Sequence, residues 1–164
     1  MDLNETIREI SEITRPRWKD EAEKRGRVIN LLINRGEGNT IVQGDWGEIQ
    51  EALLNLIYNA IDALPEGGRI TLSTDTLEGE VKVTVADSGI GMAPEVRERV
   101  LEPFFTTKAE RGTGLGLSMV YGTMERHRGR ITVESAIGGG TQVSLFFPIS
   151  EGRVKKEISE EAIS

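Results

Sequence analysis

Apolar residues recur along this chain at two spacings, and each spacing predicts a kind of element. Leu3, Ile7, Ile10 and Ile13 repeat every three or four residues, so they share one side of a helix that Pro16 is expected to close. Ile49, Leu53, Leu56, Ile57, Ala60, Ile61 and Leu64 extend the same pattern over a longer helix, with Asp45 as N-cap and Pro65 and Gly67-Gly68 past its end. Period-two alternation marks strands instead. Val81, Val83 and Val85 alternate with Lys82, Thr84 and Ala86 in a strand over Glu80 to Asp87, preceded by another from Arg69 to Asp75. A hairpin of Arg130 to Ser135 with Thr141 to Pro148 turns at Gly138-Gly139-Gly140. Two short strands, Arg27 to Asn34 and Thr40 to Gly44, are expected to join across the turn at residues 35–39.

Between Ser88 and Gly114 both periods fail, with at most a short helix from Glu95 to Val100, before a helix from about Leu115 to Arg128. An irregular stretch of that length inside a patterned domain suggests a functional connection. Residues 1–149 therefore read as one domain, and residues 150–164 as a charged tail or linker.

Composition narrows the classes. A chain of 164 residues suits a single core. It has no apolar run near the length of a membrane span and no signal-peptide pattern, so this piece is expected to be cytoplasmic, without membrane contact, and monomeric. The absence of cysteine excludes disulfide scaffolds, thiolate metal sites and cysteine nucleophiles. A net charge of -7 argues against a general nucleic-acid surface, so a phosphate ligand would need local cations.

Three segments carry candidate chemistry. Glu51, Asn55, Asn59 and Asp62 form a polar stripe opposite the apolar face of the long helix. The stripe reads either as a solvated face or as a ligand face, since carboxamide oxygens suit hard cations such as Mg²⁺. Asp87 continues the inward-facing parity of Val81, Val83 and Val85; it reads either as a turn cap or as a buried acceptor for a ligand donor, with Gly89 and Gly91 leaving room for a ligand against backbone. Thr141 shares the face of Val143, Leu145 and Phe147, so it points toward the same place. Gly112-Thr113-Gly114-Leu115-Gly116-Leu117 precedes a helix, as a flexible loop or as an anion site of bare amides. It fits neither the Walker A spacing nor a Rossmann turn, and Lys108 and Arg111 lie just upstream.

In order, these segments resemble the four boxes of the catalytic domain of two-component sensor histidine kinases, within the superfamily shared with gyrase, heat-shock chaperones and mismatch-repair proteins. Glu51 to Ala63 resembles the N box, Asp87-Ser88-Gly89-Ile90-Gly91-Met92 the first glycine box, Glu102 to Lys108 the F box, and Gly112 to Leu117 the second glycine box. The resemblance implies an α+β fold, a two-layer α/β sandwich of the Bergerat type. Its mixed, mostly antiparallel sheet of about five strands is covered on one face by about three helices, with an ATP lid. It implies Mg²⁺ on Asn59, with Asn55 as a further candidate, and the adenine amino group on Asp87. Gly89, Gly91 and Met92 would shape the base pocket and Thr141 would support the adenine. Gly112, Thr113, Gly114, Leu115, Gly116 and Leu117 would follow the triphosphate, with Lys108 on the γ-phosphate. The lid is short, as in nitrogen-regulation-type kinases.

Two positions depart from the family pattern. Asp62 stands where many such kinases carry a basic residue in the nucleotide site, and Asn55 stands where hydrolysing relatives carry a Glu that activates water. Asn is no general base near neutral pH, which favours phosphoryl transfer over hydrolysis. The sole histidine, His127, lies outside any acceptor motif and reads as structural. The reading is a kinase that needs ATP, Mg²⁺, a histidine on a separate dimerisation domain and a downstream response regulator. The alternatives are an ATP-responsive interaction module with weak or no catalysis and a hydrolysing ATPase. The chain is expected to be either part of a longer kinase, with or without a membrane anchor on its parent, or a small protein acting in trans.

Overall fold

A computed structural model describes residues 1–102 and 116–150 of the chain. Eleven segments alternate in it. Helix α1 (Leu3–Arg15) runs into a π-helical stretch (Pro16–Glu21) and the single turn α2 (Ala22–Lys24), followed by strand β1 (Ile29–Asn34) and helix α3 (Trp46–Asp62). Then come β2 (Gly68–Leu77), β3 (Glu80–Asp87), α4 (Pro94–Arg99), α5 (Gly116–Arg126), β4 (Arg130–Ser135) and β5 (Thr141–Pro148). The strands form one sheet in the order β1-β2-β3-β5-β4, parallel between β1 and β2 and antiparallel elsewhere.

Alternation along each strand sends one row of side chains toward the helices. Ile70 and Leu72 of β2, Val81, Val83 and Val85 of β3, and Val143, Leu145 and Phe147 of β5 are buried there with the apolar sides of α1, α3 and α5. On α3, Ile49, Ala52, Leu53, Leu56, Ile57, Ala60 and Ile61 are all buried. Full burial of one large apolar side chain contributes roughly 1.5–3 kcal/mol, whereas an Asn in a helix interior costs about 0.7 kcal/mol or less against Ala. Packing thus decides that α3 is helical in spite of Asn55 and Asn59. Its ends are closed by Asp45, whose Oδ1 accepts from the Glu48 amide at 3.0 Å, and by Arg27, whose guanidinium donates to the Leu64 carbonyl at 3.0 Å.

The opposite sheet face has no helix over it among the described residues. On that face Phe146 is covered by Arg130, 3.6 Å above the ring, and by Lys82 at 5.7 Å. A shallow hollow of about 260 Å³ near Arg35, Lys82 and Gln142 also lies there, on the side away from Asp87.

One local expectation is extended and one is corrected. Pro16 closes α1 as expected, since that helix ends at Arg15 with Pro16 as its C-cap, but the backbone stays helical past it as the π-helical stretch. Trp18 in that stretch packs on the core and donates Nε1–H to the Ser11 carbonyl at 3.1 Å. Thr40 to Gly44 does not return beside β1 as a hairpin strand. Past β1 the chain crosses β2 instead, where the Gly36 amide donates to Thr74 Oγ1 at 2.8 Å. Ile41 and Val42 then make single bridges to Asp2 and Ile149. The partner of β1 is β2, reached through α3.

Candidate functional site

Three chain segments converge at the C-terminal end of α3. The turn after β3 docks there, with the Ile90 amide donating to the Ala63 carbonyl at 3.0 Å. The start of α5 lies alongside, so close that a Cβ added at Gly116 would sit 3.7 Å from the Asn59 amide nitrogen. The hairpin turn between β4 and β5 closes the third side, where the Gly138 amide donates to the Ile90 carbonyl at 2.8 Å. Asn59, Asp62, Asp87, Gly89, Gly91, Met92, Gly116 and Thr141 therefore all stand around one end of the sheet. Asn55, Asn59 and Asp62 are half-buried along α3, Glu51 is exposed, and Leu117 packs against the core. Lys108, Arg111, Gly112, Thr113, Gly114 and Leu115 lie outside the described residues, as do most of the F box and residues 151–164.

Asp87 ends β3 in register with Ile70 on one side and Thr141 on the other. Its Oδ1 accepts from the Gly89 amide at 2.9 Å. Burial holds its pKa above the ordinary aspartate value, opposed by the backbone amides of Gly89 and Thr141. The carboxylate is thus a turn cap on a half-buried side chain at the inward-facing end of β3.

The glycines also have a reason within the fold itself. A Cβ at Gly89 would lie 2.1 Å from the Ala63 carbonyl oxygen, and one at Gly91 would lie 1.9 Å from that of Ala136. Gly91 also has a φ of +70°. The space beside both residues is filled by the protein's own backbone, so these glycines let the turn dock on α3 and on the hairpin.

Ser135 escaped the sequence reading. Its Oγ accepts from the Met92 amide at 2.8 Å, lies 2.9 Å from the Gly140 carbonyl oxygen and lies 2.8 Å from Thr141 Oγ1. The only available signal was hairpin register, which pairs Ser135 with Thr141 and so brings it to Asp87's row.

His127 sits at the far end of α5, away from this cluster. Its Nδ1–H donates to the Thr123 carbonyl at 2.7 Å, and Nε2 accepts from the Asp45 amide at 3.0 Å, which fixes the neutral ring with its proton on Nδ1. Its side chain is only 5% exposed. Both nitrogens are occupied, Nδ1 within the last turn of α5 and Nε2 in a tie to the N-cap of α3, a structural role. His127→Ala is expected to lower the unfolding free energy by about 2–3 kcal/mol in urea titrations, through a cavity beside Phe147 and a lost tie. An unchanged midpoint would contradict that role.

The family of histidine kinase-, DNA gyrase B- and HSP90-like ATPases matches residues 44–151, which include all of the α3, glycine-turn and hairpin site. The chain belongs to this family. Its relatives are sensor histidine kinases: it is 36% identical over 158 residues to the sensor histidine kinase ZraS of Klebsiella oxytoca, covering 96% of this chain and 32% of that kinase. The chain thus spans less than a third of that relative's length. Among solved structures, the catalytic domain of histidine kinase ThkA superposes with a TM-score of 0.76 at 32% identity, covering 91% of this chain and 93% of that one. Full-length ShkA, solved in complex with AMPPNP, superposes with a TM-score of 0.77 at 29% identity, over 91% of this chain and 30% of that one. The five-stranded mixed sheet with its helices is that of the histidine kinase catalytic domain. The nucleotide of an ATPase family is ATP, and no described helix is long and apolar enough to cross a membrane.

Proposed function

We propose that this domain binds Mg-ATP and transfers its γ-phosphoryl group to a histidine on a separate dimerisation domain, upstream of a response regulator. The observation that carries the reading is the half-buried Asp87 carboxylate at the edge of a cluster that also holds Asn59 and the start of α5. A carboxylate set among backbone donors suits an exocyclic amino group and repels a carbonyl. The carboxamide oxygen of Asn59 suits Mg²⁺ held through one protein ligand together with phosphate oxygens and waters. Asn55, one turn before Asn59, lies near enough in sequence to support that shell.

Bound there, Mg²⁺ would neutralise charge on the phosphate oxygens. Asp87 would hold the adenine amino group and so set the depth of the nucleotide, with Met92 beside the base and Thr141 behind it. The start of α5 at Gly116 and Leu117, with the amides from Gly112 to Leu115, would follow the triphosphate. Lys108 would neutralise the γ-phosphate while a partner imidazole attacks in line. Asp62 supplies no cation, which leaves that task to Lys108 and Arg111. Asn55 in place of a water-activating Glu favours transfer over hydrolysis.

The test is transfer of label from γ-labelled Mg-ATP to a purified dimerisation domain carrying its acceptor histidine, with the chain alone as control. Label is expected on the partner histidine and not on His127. ATP binding without transfer to any of several cognate partners would leave a nucleotide-responsive interaction module, and rapid phosphate release without a partner would mark a hydrolase.

A further inference from the structure

Asp87, Thr141 and Ser135 occupy one row across β3, β5 and β4, because Asp87 pairs with Thr141 and Thr141 with Ser135. Ser135 has one hydroxyl proton and three polar neighbours. The Met92 amide is only a donor, so Ser135 Oγ must accept from it at 2.8 Å. The Gly140 carbonyl is only an acceptor, so it receives the Ser135 proton at 2.9 Å. The remaining contact, 2.8 Å to Thr141 Oγ1, then requires the Thr141 hydroxyl to donate to Ser135. Any other assignment leaves the buried Gly140 carbonyl without this donor, which is unfavourable for a buried acceptor.

With its proton committed to Ser135, Thr141 Oγ1 has only lone pairs left to offer. Asp87 beside it is likewise an acceptor, tied by the Gly89 amide. We propose that Ser135 is a specificity-determining positioning residue. By taking the Thr141 proton it makes the base end of the pocket acceptor-only, and by holding the Met92 amide it fixes the first glycine turn at that depth. The pocket then accepts a purine that presents an amino group at this edge and rejects one that presents a carbonyl. Ser135 acts through Thr141 and Met92 and needs no contact with nucleotide. This inference rests on the nucleotide reading above.

The experiment is calorimetric titration of the full chain with ATP and with inosine triphosphate, which carries a carbonyl in place of the adenine amino group. The wild-type preference for ATP is expected to be about 100-fold or more. In Ser135→Ala the Thr141 hydroxyl is free to rotate and donate, so ATP binding weakens, inosine triphosphate binding does not, and the preference falls about tenfold. Ser135→Thr keeps the hydroxyl and is expected to restore the preference. A structural prop alone would weaken both nucleotides in proportion, and an unmoved ratio in Ser135→Ala overturns the inference. Should that variant not fold, Thr141→Val removes the lone pairs at nearly constant volume and must lower the ratio too; an unchanged ratio there is equally fatal. If the wild-type chain binds no ATP, the nucleotide reading itself falls and this inference with it.

Discussion

Asp87→Asn is expected to weaken ATP binding by about 10²–10³-fold and to leave the fold intact. Two terms add up to that loss. The variant gives up a hydrogen bond to a charged acceptor, worth roughly 1.5–3 kcal/mol, and it turns an amide NH₂ toward either the adenine amino group or the Gly89 and Thr141 amides that now point at the carboxylate. About 3–4 kcal/mol corresponds to two to three decades in Kd. The wild-type chain should reject GTP by up to about 10⁴, since guanine brings a carbonyl where adenine brings its amino group.

The same residue sets a pH dependence. Burial raises the Asp87 pKa, so on acidification the group takes up its proton at a higher pH than an ordinary aspartate. A protonated carboxyl presents a donor to a donor, so ATP affinity is expected to be full above the raised pKa and to fall as the pH drops through it. The sign for folding is the reverse. A carboxyl with a pKa higher in the folded than in the unfolded chain favours folding when protonated, so ionised Asp87 opposes folding at neutral pH. The asparagine variant carries no such opposition, and its melting temperature without nucleotide should be no lower than that of the wild type. Calorimetric titrations with ATP from pH 4 to 8 check the affinity, and thermal melts of both proteins without nucleotide check the folding sign. Wild-type affinity for ATP in Asp87→Asn would remove this residue from base recognition.

Asn59→Ala is expected to abolish Mg-dependent transfer, by about 10³-fold or more, with metal-free ATP binding changed only a few-fold. Neutralisation of phosphoryl charge by a metal is worth several kcal/mol, and about 4 kcal/mol is three decades in rate. Loss of the fold does not account for this result, because Ala is a better helix former than Asn by up to about 0.7 kcal/mol. The Asn59 amide nitrogen also stands next to Gly116, where helix α5 begins, so metal and phosphate would meet at one point. Label transfer to an isolated dimerisation domain, with Mg²⁺ varied, measures it. Unchanged transfer would remove the metal from Asn59.

Much of the scaffold was legible because its signals are local. The apolar face of α3 and its Asp45 cap follow from spacings of three and four residues and one capping side chain. The β4–β5 hairpin and β3 follow from alternation, and that parity turned Asp87 and Thr141 inward together. Where the reading failed, the deciding contact was distant. The expected hairpin after β1 is replaced by a parallel pairing through α3, and a short apolar run such as Thr40 to Gly44 carries no record of which edge it will meet.

By itself, then, the amino-acid order determined which faces are apolar, where α3 starts, that Asn59 lies opposite its buried side, and that Asp87 points inward. Helical and strand periods are set by backbone geometry within a few residues, so the order alone suffices for them. Only the tertiary structure decided why Gly89 and Gly91 must be glycine, since the carbonyls they approach belong to Ala63 on another element and Ala136 in the hairpin turn. It alone joined Ser135 to Met92, 43 residues apart, and locked His127 to Asp45, 82 residues apart. Those contacts form when the sheet closes and the helices settle on it, and no period along the chain encodes which backbone amide a hydroxyl or an imidazole will meet.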